Sequence, residues 1–348
     1  MTTPVETLTS AAAARGPLAV EAVSLSKDFA LGRGQTVHAV RDVSFNLYSG
    51  AVVALVGESG SGKSTAARML AGQEPLTSGT IKLGGEPVHV TTHRAFRRYK
   101  SKVQYVFQDP FASLNPVHTV RYHLERPVRL HQPGVAVDPA LDALMDQVRL
   151  TPAKQFLDKY PHELSGGQRQ RVSFARALAA KPIVLLADEP VSMLDVSIRL
   201  EMLALLNDLR ERLRLALLYI THDIASARYF ADEILVMYAG QIVERGPAEE
   251  ITQRPKHPYT QLLIASAPDP DNLGSTLRSG AKRDPRKATE GIPAQGCPFA
   301  PRCLLADDQC RQDNPDLIQL TTTRAAACWH LDETDLPASP DLPAPPDL

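Results

Sequence analysis

The segment Gly57-Glu58-Ser59-Gly60-Ser61-Gly62-Lys63-Ser64 has the residue types and the spacing of a phosphate-binding loop. It fits the pattern G-x-x-x-x-G-K-[ST], whose glycines let the backbone curl so that its N–H groups point at phosphate oxygens. A short apolar run, Ala51–Val56, precedes the loop, and a helix pattern follows it, whose N-terminus would attract the same anion. We therefore expect a nucleoside triphosphate here, with Lys63 at its β- and γ-phosphates and Ser64 as a magnesium ligand. The residues expected around the phosphates are Gly57, Ser59, Gly60, Gly62 and Thr65.

An acidic pair, Asp188-Glu189, follows a second apolar run at Ile183–Ala187. Two carboxylates at the end of a strand are often only solvated, but an upstream phosphate loop favours a catalytic role. We expect Asp188 to hold the magnesium ion, directly or through water. Glu189 is then placed to orient and polarise the water that attacks the γ-phosphate.

Apolar runs that alternate with helix patterns place these residues in a mainly parallel α/β sheet. Alternating strands are predicted from Leu18 onward, and a third buried strand at Leu217–Ile220. The pattern predicts a disordered tail (1–17), a main domain (18–255) that contains a helical region (92–180), an accessory domain (256–332) and a Pro-rich tail (333–348).

Net charge and hydropathy argue against several classes of protein. A net charge of -1 argues against a nucleic-acid binder that relies on bulk basic charge. We find no apolar run of bilayer length and no secretory signal, so a role at a membrane would be that of a peripheral subunit.

Further motifs, in order along the chain, resemble those of the ABC transporter ATPases. The stretch Leu164–Gln170 looks like the LSGGQ signature of that family, and Gln108 matches its glutamine loop. Leu194-Asp195 resembles the D-loop, and His222 in YITHD matches the switch histidine. Phe29 is placed like the aromatic residue that stacks on adenine. Met193 departs from the pattern, since the family usually has a small residue there.

The resemblance implies the fold of a RecA-like P-loop NTPase with an antiparallel β subdomain and an inserted α-helical subdomain. It implies that ATP and Mg²⁺ bind between two ATPase subunits, so that the signature of one subunit covers the phosphates held by the other. In that arrangement Gln108 senses magnesium, His222 contacts the γ-phosphate, and Asp195 ties the subunits together. The residues that cover the partner's ATP are Ser165, Gly166, Gly167 and Gln168.

The C-terminal part is similar to the ATPase subunits of oligopeptide and dipeptide permeases, in the motif His257-Pro258-Tyr259-Thr260 and in Gly296–Cys303. This resemblance implies a second, different ATPase subunit, two transmembrane permease subunits, an extracytoplasmic substrate-binding protein, and a place at the cytoplasmic face of the inner membrane. Members of the group also carry oligosaccharides or nickel.

A soluble ABC ATPase acting on nucleic acid is an alternative function. The basic stretch His93–Lys100 is the feature that favours it most, although a solvated helix face explains that stretch better.

All four cysteines, Cys297, Cys303, Cys310 and Cys328, lie in one C-terminal stretch with the spacing C-x5-C-x6-C-x17-C. Few apolar residues surround them, and a segment poor in core often needs a covalent or metal staple. A cytoplasmic location disfavours disulfides, and the short C-x2-4-C knuckle of structural zinc is absent. Longer loops suit a 4Fe-4S cluster, which some permease ATPases with this cysteine pattern carry. We expect such a cluster, with zinc as the second choice and four unliganded thiols as the alternative.

Overall fold

The computed structural model describes residues 16–32, 35–89, 92–109, 113–266, 293 and 295–332. Residues 1–15 of the predicted N-terminal tail and the whole predicted Pro-rich tail, 333–348, lie outside the described residues.

An eight-stranded sheet in the order β11-β12-β10-β9-β3-β8-β7-β6 forms the centre of the fold. Strands β9, β3, β8, β7 and β6 run parallel to one another, and β10 to β12 are antiparallel additions. The strands are Val52–Val56 (β3), Val103–Val106 (β6), Val184–Asp188 (β7), Ala216–Thr221 (β8), Glu233–Tyr238 (β9), Gln241–Pro247 (β10), Ile318–Gln319 (β11) and Ala325–Ala326 (β12). Every residue of β3, β7 and β8 is buried, as continuous apolar runs covered on both faces require. The mainly parallel α/β sheet is therefore confirmed.

A second, antiparallel sheet packs beside the first in the order β2-β1-β4-β5. Its strands are Leu18–Gly32 (β1), Gln35–Tyr48 (β2), Ser78–Leu83 (β4) and Glu86–Pro87 (β5). The inward side chains of β1 and β2, among them Leu25, Val43 and Phe45, share a buried cluster with Val53 and Leu55 of β3. This packing fixes the antiparallel β subdomain against the strand that leads into the phosphate loop.

The helices are Lys63–Leu70 (α1), His93–Lys102 (α2), Val120–His131 (α3), Val137–Gln147 (α4), Lys154–Leu157 (α5), Gly166–Leu178 (α6), Val196–Leu213 (α7), Ile224–Phe230 (α8), Ala248–Gln253 (α9), Pro258–Ala265 (α10) and Asp308–Gln312 (α11). Helices α3 to α6 form the inserted helical subdomain. Strand β6 lies within the region, 92–180, that was predicted as helical. The basic stretch forms most of α2, with Tyr99 buried and the arginines exposed, which agrees with a solvated helix face. No described helix combines the length and the apolarity needed to cross a bilayer.

The cysteine-bearing segment packs directly on the central sheet and its buried cluster. Its strand β12 pairs with β10, which brings Ala326 opposite Glu244. Phe299 is buried in the same apolar cluster as the central strands. Beneath the pairing, Arg324 forms an ion pair of 2.8 Å with Glu244, whose side chain is fully buried. A buried charge of this kind is tolerated only when it is paired and hydrogen-bonded, and Glu244 also accepts the backbone N–H of His257.

Candidate functional site

The phosphate loop runs from the end of β3 to the start of α1, as the sequence predicted. Gly62, the residue before the helix, has a φ of 102°, which a side chain would make costly. A Cβ atom at Gly57 would collide with the carbonyl oxygen of Met237 in β9. Glycine is therefore required at the beginning of the loop by close packing and at its end by backbone conformation.

Lys63 is only 5% exposed, and its ammonium group donates to the loop's own carbonyls. The oxygens of Gly57 and Glu58 lie 2.7 and 2.8 Å from its Nζ atom. Burial lowers the pKa of Lys63, and the nearby carboxylates of Glu189 and Asp188 oppose that shift. The ammonium group of Lys63 thus holds the shape of the loop and places a positive charge within it. A bound phosphate would neutralise that charge.

A cavity of about 700 Å³, here called the loop cavity, opens above these residues. This volume lies in the range of small-molecule binding sites. Its lining includes predicted site residues from both ends of the site, namely Ser59, Gly60, Gly62, Lys63, Ser64, Thr65, Gln108 and Glu189. Sequence reasoning missed His38 and Arg41, which add basic side chains from β2 to the same lining. Their only signal was their place in a strand predicted near the loop.

Two of the predicted magnesium ligands, Ser64 and Asp188, meet beside the loop cavity, whereas the third, Gln108, contacts Glu189. The Ser64 hydroxyl donates to Asp188 Oδ1 over 3.0 Å, and Asp188 is 3% exposed. The Tyr105 hydroxyl donates to the other carboxylate oxygen, and its burial raises the pKa of Tyr105. A hydroxyl and a carboxylate are the hard oxygen donors that Mg²⁺ prefers, so the donor set fits this ion. Sequence reasoning did not identify Tyr105, although it lies three residues before Gln108.

Glu189 is held by Gln108, the residue expected to sense magnesium, and by His222, the residue expected to contact the γ-phosphate. Gln108 Nε2 donates to one carboxylate oxygen over 2.8 Å, and His222 Nδ1 lies 3.1 Å from the other. The hydrogen bond with His222 lowers the pKa of Glu189 and raises that of His222. Glu189 also has a φ of 44°, a conformation that costs a non-glycine residue roughly 1–2 kcal/mol. The fold therefore holds an ionised carboxylate in a costly position facing the loop cavity.

The signature residues lie apart from this arrangement. Ser165 caps helix α6, accepting the backbone N–H of Gln168, whose side chain accepts the N–H of Ser165 in return. Ser165 is exposed, and the described lining of the loop cavity contains none of residues 165–168. Asp195 is likewise exposed at the start of α7. The exposed start of α6 is thus free to face an anion outside this chain's own loop cavity.

Phe29 and Met193, two residues singled out in the sequence motifs, are not in the described lining of the loop cavity. Phe29 lies in β1 opposite Val37, which lines the loop cavity, but Phe29 is not among the described lining residues. Its ring instead contacts the ammonium of Lys27 at 4.7 Å. Stacking of Phe29 on adenine therefore stays a prediction. Met193, the departure in the D-loop, is 61% exposed.

The four cysteines converge on one small cavity, here called the cysteine cavity. Cys297, Cys303, Cys310 and Cys328 all line it, and none of them is in a disulfide. Its volume is about 10 Å³, which is room for a single water-sized particle. Burial raises the pKa of the Cys297 and Cys310 thiols, and that of Cys328 to about 11.

Other donors that sequence reasoning missed stand beside the thiols. His330 lines the cysteine cavity, and Asp307, Cys310 and His330 present ligand atoms within 4.8 Å of one another. The nearest signal in the sequence was the pattern Cys328-Trp329-His330, a histidine two residues after a cysteine. Soft thiols next to an imidazole form a donor set that fits zinc or an iron–sulfur cluster.

Known protein families match two parts of the chain. Residues 40–192 match the family described as ABC transporter. Residues 243–310 match the family described as oligopeptide/dipeptide transporter, C-terminal region. The second match begins in β10 and includes Cys297, Cys303 and Cys310.

Named relatives share nearly the whole length. A dipeptide transport ATP-binding protein, DppF, of Haemophilus influenzae is 38% identical over 90% of this chain and 97% of its own. An oligopeptide transport ATP-binding protein, OppF, of the same organism is 37% identical over 87% and 91%. A probable peptide ABC transporter ATP-binding protein, y4tS, of Sinorhizobium fredii is 39% identical over 88% of each chain.

Solved structures agree with the fold. The ATP-binding cassette MJ0796, in a dimeric structure bound to ADP and phosphate, superposes with a TM-score of 0.60 at 27% identity, covering 66% of this chain and 98% of its own. The protein cbiO1 of Clostridium perfringens, part of the ABC transporter complex cbiONQ, gives a TM-score of 0.60 at 26% identity, covering 68% of this chain and 90% of its own. Together with the site geometry, these likenesses show that the chain belongs to the ATP-hydrolysing subunits of ABC transporters, within the oligopeptide/dipeptide transporter group.

Proposed function

We propose that this chain hydrolyses ATP to drive the import of dipeptides or oligopeptides. The observation that carries the proposal is the match of residues 243–310 to the C-terminal region of oligopeptide/dipeptide transporters, beyond the cassette that ABC ATPases of many kinds share. The relatives named for dipeptide and oligopeptide transport align with this chain along most of its length, which supports the same assignment.

ATP is held in the loop cavity with its phosphates in the loop. Backbone N–H groups of the loop surround the phosphates, and Lys63 turns from the loop carbonyls to the β- and γ-phosphates. Ser64, Asp188 and Gln108 supply the oxygen ligands of Mg²⁺. The hydrogen bond between Ser64 and Asp188 supports this role, because it already brings two hard donors together.

Hydrolysis is carried by Glu189, which accepts a proton from the attacking water. Its lowered pKa keeps the carboxylate ionised at neutral pH and ready to accept. His222 and Gln108 hold the two carboxylate oxygens and so fix the direction in which Glu189 faces. On ATP binding, His222 transfers its contact to the γ-phosphate and stabilises the charge that develops there.

A second ATPase subunit completes the site. Ser165, Gly166, Gly167 and Gln168 cover the phosphates held by the partner, and Asp195 contacts the partner across the interface. The exposed start of α6, with its cap intact, supports this arrangement. The partner is proposed to be a different chain, as is common in this group.

The remaining partners follow from the same assignment. Two transmembrane permease subunits carry the peptide, an extracytoplasmic binding protein delivers it, and this chain works at the cytoplasmic face of the inner membrane. No nucleic acid takes part. Because the ATPase does not touch the cargo, the substrate has to be identified by transport rather than by the loop cavity.

Uptake in cells tests the cargo directly. In a strain that lacks this chain, the parent should restore uptake of a labelled dipeptide or oligopeptide, whereas Lys63→Ala should not, because the phosphates lose their cation. Uptake of the free labelled amino acid serves as the control and should be equal in all strains. Restored uptake of labelled nickel or an oligosaccharide, with peptide uptake unchanged, would contradict peptide import.

The cysteine cavity supports a second part of the proposal, a structural metal centre held by the four thiolates. A 4Fe-4S cluster is the first candidate, because four cysteines on long loops suit its size. Single zinc is the second candidate, because thiolates and an imidazole are ligands that it prefers. Either centre would fix the segment between Cys297 and Cys328 in place.

Metal analysis after anaerobic purification separates these candidates. The parent should contain about four iron and four sulfide per chain for a cluster, or about one zinc. Cys303→Ser should lose most of that metal, because a thiolate ligand is gone. Leu304→Ser is a matched control, since Leu304 is the neighbouring residue and is fully exposed. Folded parent protein that contains neither metal would refute the metal centre.

A further inference from the structure

A two-pronged ion pair joins the cysteine-bearing segment to the phosphate loop. Arg302 NH1 and NH2 lie 2.9 and 2.8 Å from the two carboxylate oxygens of Glu58, across 244 residues of sequence. Glu58 is the second residue of the phosphate loop, and Arg302 is the residue before Cys303. The pair is only 24% and 29% exposed, so water screens it less than an open surface pair.

Arg302 is itself held by its surroundings. It ends the 3-10 turn Ala300–Arg302, which lies between Cys297 and Cys303. Its guanidinium lies over the rings of Phe299 and Tyr238, at 5.5 and 5.7 Å from their centroids. The position of the guanidinium therefore depends on the order of this turn, and a planar fork loses little entropy on binding a carboxylate.

Glu58 is restrained on its backbone as well. Its N–H donates to the Tyr259 hydroxyl over 2.8 Å, and its carbonyl accepts from Lys63 over 2.8 Å. Tyr259 is fully buried and packs against Phe299. Without nucleotide, the side chain, N–H and carbonyl of Glu58 thus each have a partner, and the two partners other than Lys63 belong to elements beyond β10.

We propose that Arg302 is a positioning residue for the ATPase reaction: acting through Glu58, it holds the phosphate loop in the shape that receives ATP. ATP affinity then depends on the order of the turn between Cys297 and Cys303. This second consequence rests on the proposed metal centre, whereas the pairing of Arg302 with Glu58 does not.

Nucleotide binding to the full chain tests the first part. Arg302→Gln and Glu58→Gln should each raise the Kd for MgATP about three- to tenfold, the loss expected for a partly shielded charged pair. In the assembled transporter KM should rise by a similar factor while kcat changes less than about twofold, because a restraint on the loop acts on binding. The double variant should be no weaker than either single one, since both remove the same contact.

Controls separate this role from general damage to the fold. Arg311→Gln removes an exposed pair with Asp308 in the same segment and should leave the Kd unchanged. Arg302→Lys keeps the charge without the fork and should give an intermediate Kd. Metal content should be the same in all of these variants. Additive effects in the double variant, an unchanged Kd in Arg302→Gln, or a weakened Kd that appears only in variants that have lost metal would each overturn the proposal.

A cysteine variant tests whether ATP affinity depends on the order of the turn between Cys297 and Cys303. If the parent holds metal, Cys303→Ser should raise the Kd for MgATP by about the same factor as Arg302→Gln, and should add nothing in a Glu58→Gln background. An unchanged Kd in metal-depleted Cys303→Ser would refute the dependence on the turn. A parent without metal refutes the metal centre, and a parent that fails to bind MgATP refutes the proposed nucleotide site. A parent that binds MgATP with the same Kd as Arg302→Gln refutes only the pairing of Arg302 with Glu58.

Discussion

A Glu189→Gln chain is expected to keep binding ATP while its turnover falls by about two to four orders of magnitude, the contribution of a positioned proton acceptor. Glutamine has nearly the same shape, so Gln108 and His222 still have a partner in place. The amide lacks the negative charge that accepts the proton of the attacking water. Steady-state phosphate release by the assembled transporter measures the fall, and equilibrium binding of MgATP checks that the site is intact.

Glu250→Gln is a suitable control, because Glu250 is an exposed glutamate in α9 and lies outside the described lining of the loop cavity. It should hydrolyse ATP at the parental rate. If Glu189→Gln also keeps a rate within about threefold of the parent, Glu189 is not the proton acceptor, and its left-handed backbone needs another explanation.

Ser165→Arg should abolish hydrolysis at the partner's site and leave ATP binding at this chain's own loop nearly unchanged. The reason is geometric: residues 165–168 are absent from the described lining of the chain's own loop cavity, and the proposed function places the start of α6 over the phosphates of the partner subunit. A long cationic side chain there would block the approach of the partner's phosphates. The isolated chain should also hydrolyse ATP poorly, and its rate should rise on assembly.

The substitution also removes a helix cap, which costs about 1 kcal/mol of stability. Ser165→Ala carries the same cap loss without the bulk, so it should retain much more activity than Ser165→Arg. Ser266→Arg, at an exposed position after α10, should behave like the parent. Verified monomers that turn over ATP as fast as the assembled transporter would disprove the shared site.

The sequence by itself determined the local parts of this protein. The phosphate loop needs glycines at close spacing, a strand before it and a helix after it, and all of these are readable from neighbouring residues. Continuous apolar runs identified β3, β7 and β8, because buried parallel strands have that composition. Strand β6 was missed, since a short apolar run amid helix patterns has no period of its own. The two-residue strand β12 is shorter still and carries no signal.

The tertiary structure decided which distant residues meet. Spacing grouped the cysteines, but only the path of the chain brings all four to one cavity. The cysteine-bearing segment is far along the chain from the phosphate loop, whereas its packing on the central sheet brings Arg302 against Glu58. The same applies to Glu189, whose contacts with Gln108 and His222 come from different loops at the ends of neighbouring strands. The hydrophobic periodicity of a segment indicates which of its faces is buried. It does not indicate which other element packs against that face, because that depends on the packing of the whole core.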